Sequence, residues 1–441
     1  WWSDPVAGTL SGEVTLSTRA HPPLRLAVAT EIGGVPLVAS TVDVVDGSAL
    51  VTLRPRGLRA GHLREDLQWS PQNPVLIDAQ LELHGAGGVV DRAASYLGAR
   101  SVSAEGGAFR LNGVPYFVRA VLEQGYWPTS LMTAPSPAAH RDEVELIIRL
   151  GFNTARVHQK IEDPRFLYWA DRLGLMIWGE TAAAYDFSSR AATLAMSEWT
   201  AAVLRDRSHP SIVAWVPVNE SWGVPDVSRS AQQVQLVQAL ASLTRALDPT
   251  RPVISNDGWE HVDSDIFTIH DYSPDPEVLS RRYGSHEGVC ATLDSSGPQG
   301  HVLSLSDDLA ERVLRRLMPV MVSEFGGISF TGDGTTWGYA TVATPEAYRD
   351  LLAALFGALT SGGTGGGSVI AGFCFTQLTD TGQEANGLLY GDRTPKLPFE
   401  DLRAIITGRT VGEDDFVWPP VTKQSPPSRD SGGLRPGDHP E

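Results

Sequence analysis

Cysteine is nearly missing from this chain. Cys290 and Cys374 are its two thiols in 441 residues. Two thiols cannot form a disulfide framework or a cysteine-rich zinc site, and they leave room for one bridge at most. Basic residues are also in deficit: 35 Lys and Arg against 52 Asp and Glu leave a net charge of −17. Phosphate backbones and anionic membranes attract Lys and Arg, so this balance argues against nucleic acid and membrane as partners. Long apolar runs are lacking too. Candidates such as Leu351 to Leu359 reach about half of the roughly 18 to 20 residues a membrane helix needs, and read as core helix. No secretory signal is visible, and Trp1-Trp2 in place of an initiating methionine is the start expected of a fragment or a processed chain. The low cysteine content fits a bacterial-type cytoplasmic enzyme. Nothing in the sequence opposes a homo-oligomer. What is present is ordinary globular composition, 42% hydrophobic and 20% charged, with length for one large domain and a smaller one.

Along the chain, residues 1–95 read as all-β. Runs at Glu13 to Ser17, Leu24 to Thr30, Val35 to Val45, Ala49 to Pro55 and Val75 to Leu83 are separated by turn signals such as His21-Pro22-Pro23, Gly33-Gly34 and Asp46-Gly47. Six or seven short strands at this spacing predict an immunoglobulin-like β-sandwich. From about Tyr96 the rhythm changes. Eight apolar runs follow: Tyr116 to Val121, Phe152 to Val157, Leu175 to Gly179, Ile212 to Val218, Pro252 to Ser255, Ile266 to His270, Val320 to Ser323 and Val369 to Phe375. Helical stretches lie between most of them, though the fifth run lacks a long helix after it. This pattern predicts an α/β fold, a (β/α)8 TIM barrel over 96–410. The stretch Gly362 to Gly367 lacks the Gly-Lys-Ser/Thr ending of a phosphate loop and reads as a flexible connection. Residues 411–441, rich in Pro, Gly, Ser and Asp, read as a disordered tail.

In a barrel of this kind, reactive groups sit where the strands end. The fourth run ends Val218-Asn219-Glu220, and the seventh ends Val322-Ser323-Glu324. A glutamate at a strand end is often a solvated loop residue. Two on facing strands at the same barrel mouth are instead the minimum equipment for cleaving a glycosidic bond.

The surrounding text resembles glycoside hydrolase family 2. Arg205-Asp206-Arg207-Ser208-His209-Pro210-Ser211-Ile212, Trp215 and Asn219-Glu220-Ser221 resemble its acid/base signature, and Ser323-Glu324-Phe325-Gly326-Gly327 its nucleophile strand. Asn112 to Arg119, Gly151 to Arg156, Leu173 to Glu180, Thr376 to Asp380 and Trp69 to Pro74 resemble further family segments in the expected order. The resemblance runs from about Leu67 to Pro395. It implies Glu220 as acid/base and Glu324 as nucleophile of a retaining exo-glycosidase acting on a β-linked or stereochemically equivalent sugar. The charge on Glu324 would then keep Glu220 protonated near neutral pH until a glycosyl ester removes it. The resemblance further implies Asn219 on the sugar 2-hydroxyl, Arg156 orienting the nucleophile and Tyr272 donating to it. Glu180, His158, His270 and Gln377 are candidate sugar contacts at strand ends. Trp222 and Trp259 are candidate stacking faces among the tryptophans there, with Trp178 and Trp337.

The departures bear on substrate. The acidic-x-His motif of the family's magnesium-dependent galactosidases is replaced by Glu180-Thr181-Ala182-Ala183, so no metal site is expected. The Asn-x-Lys motif that grips the sugar carboxylate in its glucuronidases has Asn386-Gly387-Leu388 as its nearest candidate, without the lysine. That disfavours a glucuronide. Family members usually carry a sugar-binding-type sandwich ahead of the immunoglobulin-like domain, and no segment here accounts for one. The double-displacement chemistry needs no cofactor. Two other readings share the site: a transglycosidase, and a carbohydrate-binding protein inactive in truncated form. A metal-dependent hydrolase fails for want of a ligand cluster.

Overall fold

The computed structural model describes residues 1–4, 6–17, 23–59, 61–330, 336–360 and 369–408. The turn at His21-Pro22, the glycine-rich connection 362–367 and the tail 411–441 lie outside the described residues.

The N-terminal part is strand-rich, as its alternation predicts. One antiparallel sheet holds Trp2–Asp4, Thr9–Thr15 and Ser48–Leu53. A second holds Val35–Asp43, Arg25–Ile32, Ile77–Gly85 and Gly88–Leu97 in that order. Leu10, Val51 and Leu53 from the first sheet share one core with Leu26, Val28, Ile77 and Ala79 from the second. The strand Gly88–Leu97 has no counterpart among the predicted runs. It is an edge strand exposed over most of its length, so neither face demands an apolar period.

This part docks on the barrel through fixed polar contacts. Trp69 is fully buried and donates Nε1–H to the Asp171 carbonyl at 2.7 Å. Arg100 donates to the carbonyls of Pro210 and Ile212 at 2.9 and 2.7 Å. Phe109 and Leu111, from the short hairpin at 102–115, join the core inside the barrel. Truncating a buried tryptophan of this kind costs about 3–5 kcal/mol.

Seven of the eight predicted runs form one parallel sheet, in the order fourth, third, second, first, eighth, seventh, sixth. The strands are Val118–Glu123, Thr154–Val157, Met176–Glu180, Ile212–Val216, Phe267–Asp271, Val320–Gly326 and Gly372–Thr376. Among the described residues the sheet thus has seven strands where eight were expected. The fifth run joins only through isolated bridges, Trp215 with Val253 and Asn219 with Asp257. Pro252 supplies no N–H, and the run breaks at once into the polar turn Ser255-Asn256-Asp257-Gly258.

Two of the helices between the strands start and stop at clear sequence signals. Pro137–Leu150 is capped by Ser136 and closed by left-handed Gly151, and Pro164–Leu173 by Asp163 and Gly174. Side-chain capping, proline in the first turn and glycine after the last satisfy the orphan backbone groups at each end. No helix among the described residues is long and apolar enough to cross a membrane. Both cysteines are free thiols.

Candidate active site

Strand alternation aims the site residues. In the third strand Ile177 packs outward against the helices, while Met176 and Trp178 fill the barrel interior. The same period points Glu180 inward at the strand's end. In the second strand Ala155 and Val157 face outward, which leaves Arg156 inside. The seventh strand needs a further device. Ile269 pairs with Val322 but His270 pairs with Glu324, so one extra residue is inserted there. The bulge lets both Ser323 and Glu324 turn toward the site while Phe325 packs outward.

Arg156 is the hub. Its guanidinium is fully buried and its donors are shared out. Nε meets Glu180 Oε2 at 2.9 Å, Nη1 meets Glu324 Oε1 at 2.6 Å and Asp257 Oδ2 at 3.0 Å, and Nη2 donates to Asn219 Oδ1 at 2.6 Å. His158 lies beside it, its Nδ1 3.4 Å from Arg156 Nη2 and 3.5 Å from Glu180 Oε1. A rigid fork of five donors suits this work, and a lysine could not replace it.

Glu324 is gripped on both oxygens. Arg156 holds Oε1, and the Tyr272 hydroxyl donates to Oε2. Burial alone would raise its pKa. The charges of His270 and Arg156 outweigh that and hold the carboxyl below its usual range. Gly327 follows closely because a Cβ there would strike Tyr339 and Tyr272.

Glu220 is presented differently. Its backbone is left-handed, with φ +50, and so is that of Ser221, with φ +57. Such conformations persist only where the surroundings impose them. Here the fifth segment does: Glu220 N–H donates to the Asp257 carbonyl at 3.0 Å, and Ser221 N–H to Asn256 Oδ1 at 3.0 Å. The Glu220 carboxylate meets His270 Nδ1 at 2.7 Å. Its side chain is 23% exposed, against 5% for Glu324.

His270 stands between the two glutamates. Its Nε2 lies 3.4 Å from Asp257 Oδ2 and 3.5 Å from Glu324 Oε1. Burial pulls its pKa down, but Glu324, Asp257 and Glu220 push it up to about 10. Atoms of Glu220, His270 and Glu324 lie within 4.8 Å of one another, a spacing a metal ion could use. A metal ligand must be a neutral imidazole with a bare lone pair. Both His270 nitrogens face carboxylates, and an ion bound there would require His270 to give up its proton.

The structure therefore brings together Arg156, His158, Glu180, Asn219, Glu220, His270, Tyr272 and Glu324. Trp222 is 43% exposed at the mouth, its ring edge-on to Tyr185 at 5.7 Å. Trp259 is buried, stacked on His301 at 4.4 Å and edge-on to His270 at 5.5 Å. Trp178 belongs to the core beneath the site. Gln377 is fully buried and turns its amide to Asn386 Oδ1 at 2.8 Å.

Three participants escape the sequence reading. Asp257 accepts from Ser323 Oγ at 2.8 Å as well as pairing with Arg156 and His270. It lies two residues past the fifth run, where the polar turn hides the strand end from the rule that found the two glutamates. Arg156 and the contacts with His270 hold its carboxyl far below the usual range despite burial. Gly258, beside it, must lack a side chain: its φ is +98, and a Cβ would sit 2.6 Å from His270 Nδ1. Tyr339, stacked on Tyr272 at 3.5 Å, and Glu384 come from long loops that carry no periodic signal.

Comparison with known proteins adds the family. A model described as glycosyl hydrolases family 2, TIM barrel domain, matches residues 135–408. A beta-galactosidase from Photobacterium profundum is 26% identical over 255 residues, covering 52% of this chain and 24% of that protein. Beta-glucuronidase 3 of Bacteroides uniformis superposes with a TM-score of 0.68 at 17% identity, covering 91% of this chain and 50% of that one. A beta-galacturonidase of Eisenbergiella tayi, bound to galacturonate, gives 0.67 at 16% identity, covering 91% and 72%. The two structures share the fold with this chain, which spans under a third of the length of the curated relatives it matches. Because the barrel model covers well over half of the residues, this chain belongs to glycosyl hydrolase family 2.

Proposed function

We propose that the protein is a retaining, exo-acting glycosidase that cleaves a terminal β-linked or stereochemically equivalent sugar by double displacement. One observation carries the reading: one carboxylate oxygen of Glu220 lies within 4.8 Å of one carboxylate oxygen of Glu324. Retaining enzymes hold their two carboxyl groups about 5–5.5 Å apart, whereas inverting enzymes need about 6.5–9.5 Å to admit a water.

In the first step Glu324 Oε attacks the anomeric carbon. The bond from that carbon to the leaving oxygen breaks, and Glu220 gives its proton to that oxygen. In the second step Glu220 takes a proton from water as the water oxygen attacks the same carbon, and the ester bond to Glu324 breaks. Each role suits its surroundings. Arg156, His270 and Tyr272 stabilise Glu324 as an ionised nucleophile. The more open Glu220 reaches both the leaving group and the incoming water. Asn219 is held by Arg156 through Oδ1, and among the described residues its Nδ2 has no partner. That buried donor is the one we assign to the sugar 2-hydroxyl, a contact that strengthens in the transition state.

The test uses nitrophenyl glycosides of several sugars with the parent chain and Glu324→Gln, followed by proton NMR of the first-formed product. The expected result is turnover by the parent alone, with retained anomeric configuration. Inversion, or equal turnover by Glu324→Gln, would overturn the assignment.

A further inference from the structure

The eighth-strand side of the site carries a carboxylate that the chemistry above does not use. Glu384 closes a tight turn in which Thr381 and Glu384 exchange backbone hydrogen bonds at 3.0 Å each. The turn is stitched to the loop after the seventh strand. Trp337 N–H donates to the Gln383 carbonyl and Ala385 N–H to the Trp337 carbonyl, both at 2.9 Å. From Trp337 a chain of rings leads to the nucleophile. Trp337 stands edge-on to Tyr339 at 5.6 Å, Tyr339 stacks on Tyr272 at 3.5 Å, and the Tyr272 hydroxyl holds Glu324.

The Glu384 side chain is fixed as well as placed. Asn386 Nδ2 donates to its Oε1 at 2.9 Å, and Asn386 is itself held by Gln377 at 2.8 Å. Asn386 and Gln377 are fully buried, so this relay is anchored in the barrel while Glu384 remains half-buried at the rim. Burial raises its pKa, and the charges of Glu324 and Glu220 raise it further, against the hydrogen bond from Asn386 and the attraction of His158. It shares the electrostatic field of the two central glutamates.

A sugar carboxylate seated here would meet three acidic groups and need a cation of its own. Two basic side chains of the same loop are already engaged. Lys396 Nζ, fully buried, meets Asp380 Oδ1 at 2.7 Å and the Ala385 carbonyl at 3.1 Å. Arg393 pairs with Glu143 at 2.8 Å. A neutral sugar is in the opposite position, because its hydroxyls donate and a carboxylate accepts.

We propose that Glu384 is a specificity-determining residue of this site: its carboxylate accepts hydrogen bonds from the hydroxyls of an uncharged terminal sugar and turns uronic acids away. The proposal rests on the glycosidase reading and names its substrate class. It sets the chain apart from the two uronidases that share its fold.

The experiment compares kcat/KM for nitrophenyl β-galactoside and β-glucoside with that for the β-glucuronide and β-galacturonide. The proteins are the parent chain, Glu384→Gln and Glu384→Lys. The parent should favour the neutral sugars by about 100-fold or more, as expected where a buried polar site meets a mispaired group. Glu384→Gln should lower that ratio by about tenfold and Glu384→Lys by more, through both weaker neutral turnover and stronger uronide turnover. The isosteric Gln variant keeps the test sound if the Lys variant fails to fold. A merely structural role for Glu384 would lower both substrates together and leave the ratio in place. An unchanged ratio in both variants, or a parent that prefers uronides, overturns the proposal while the glycosidase reading stands. Mass spectrometry after treatment with activated 2-deoxy-2-fluoro glycosides reads that other layer. If no sugar turns over and none labels Glu324, the glycosidase reading falls and this proposal with it.

Discussion

The two glutamates at the barrel mouth are the same side chain in opposite settings. Glu324 sits on a bulged strand inside a regular sheet, 5% exposed, with Arg156 on one oxygen and Tyr272 on the other. Glu220 sits on a left-handed turn propped by an irregular segment, 23% exposed, with His270 against one oxygen. The barrel gives the Arg156 guanidinium and the Tyr272 hydroxyl to one carboxylate, and sets His270 and more solvent against the other. Divergent environments of this kind let two chemically identical groups take different parts in one reaction.

Substitution at each end should separate those parts. Glu324→Gln removes the attacking group and should cut turnover on every glycoside by on the order of 10^4 or more, with the fold retained by circular dichroism. Glu220→Gln should depend on the leaving group. Alkyl glycosides should lose about 10^2- to 10^4-fold, the range of general acid catalysis, while dinitrophenyl glycosides, which need little protonation, should form the intermediate nearly as before. A loss independent of leaving group in both variants would erase the contrast.

The third test reaches the charge that the two ends share. Asp257→Asn takes away one of the three carboxylates around His270 and one of the partners of Arg156. Turnover should fall about 10- to 100-fold, with the alkaline limb of the pH profile moving to lower pH as His270 loses its proton more easily. A structural defect alone would lower the profile without moving it. Stability carries the same signature. His270 titrates near 10 when folded, against about 6.5 unfolded. Its raised value favours the folded state fully below the unfolded pKa, and this contribution declines as pH rises through the window and is lost above about 10. Urea midpoints at pH 6, 8 and 10 should therefore decline more steeply in the parent than in His270→Gln.

Much of this site was legible because it obeys a positional rule. Arg156, Glu180, Glu220, His270 and Glu324 all lie where an apolar run ends, and the (β/α)8 pattern says that such positions converge. The same rule stopped short at the fifth run, where a proline and a polar turn hide the strand and with it Asp257. Gly88–Leu97 was missed for a related reason, since an exposed edge leaves no apolar period to read. Glu384 is a different case. Its place depends on two loops, around 337 and 384, meeting across the barrel mouth, and no local pattern encodes such a meeting. Gln377 reads correctly as a strand-end residue, and its amide is bonded to Asn386, which in turn holds Glu384 in the loop beyond.

The smallest effect belongs to the open end. Trp222 lies two residues past Glu220 and exposes 43% of its surface, with Tyr185 against its ring. Its neighbours do not fix it to Glu324 or Arg156, so its expected work is to cover a sugar or aglycone face rather than to aim a reacting group. Such stacking is present before and during the chemical step alike, and removing it weakens both equally. Trp222→Ala should raise KM by about three- to tenfold, in line with an aromatic contact worth about 1 kcal/mol, with kcat unchanged. Trp222→Phe should restore most of the loss. If kcat falls instead and KM holds, the indole must act in the transition state. The open side of the site would then be organised as tightly as the closed one, and exposure alone would no longer distinguish the two glutamates.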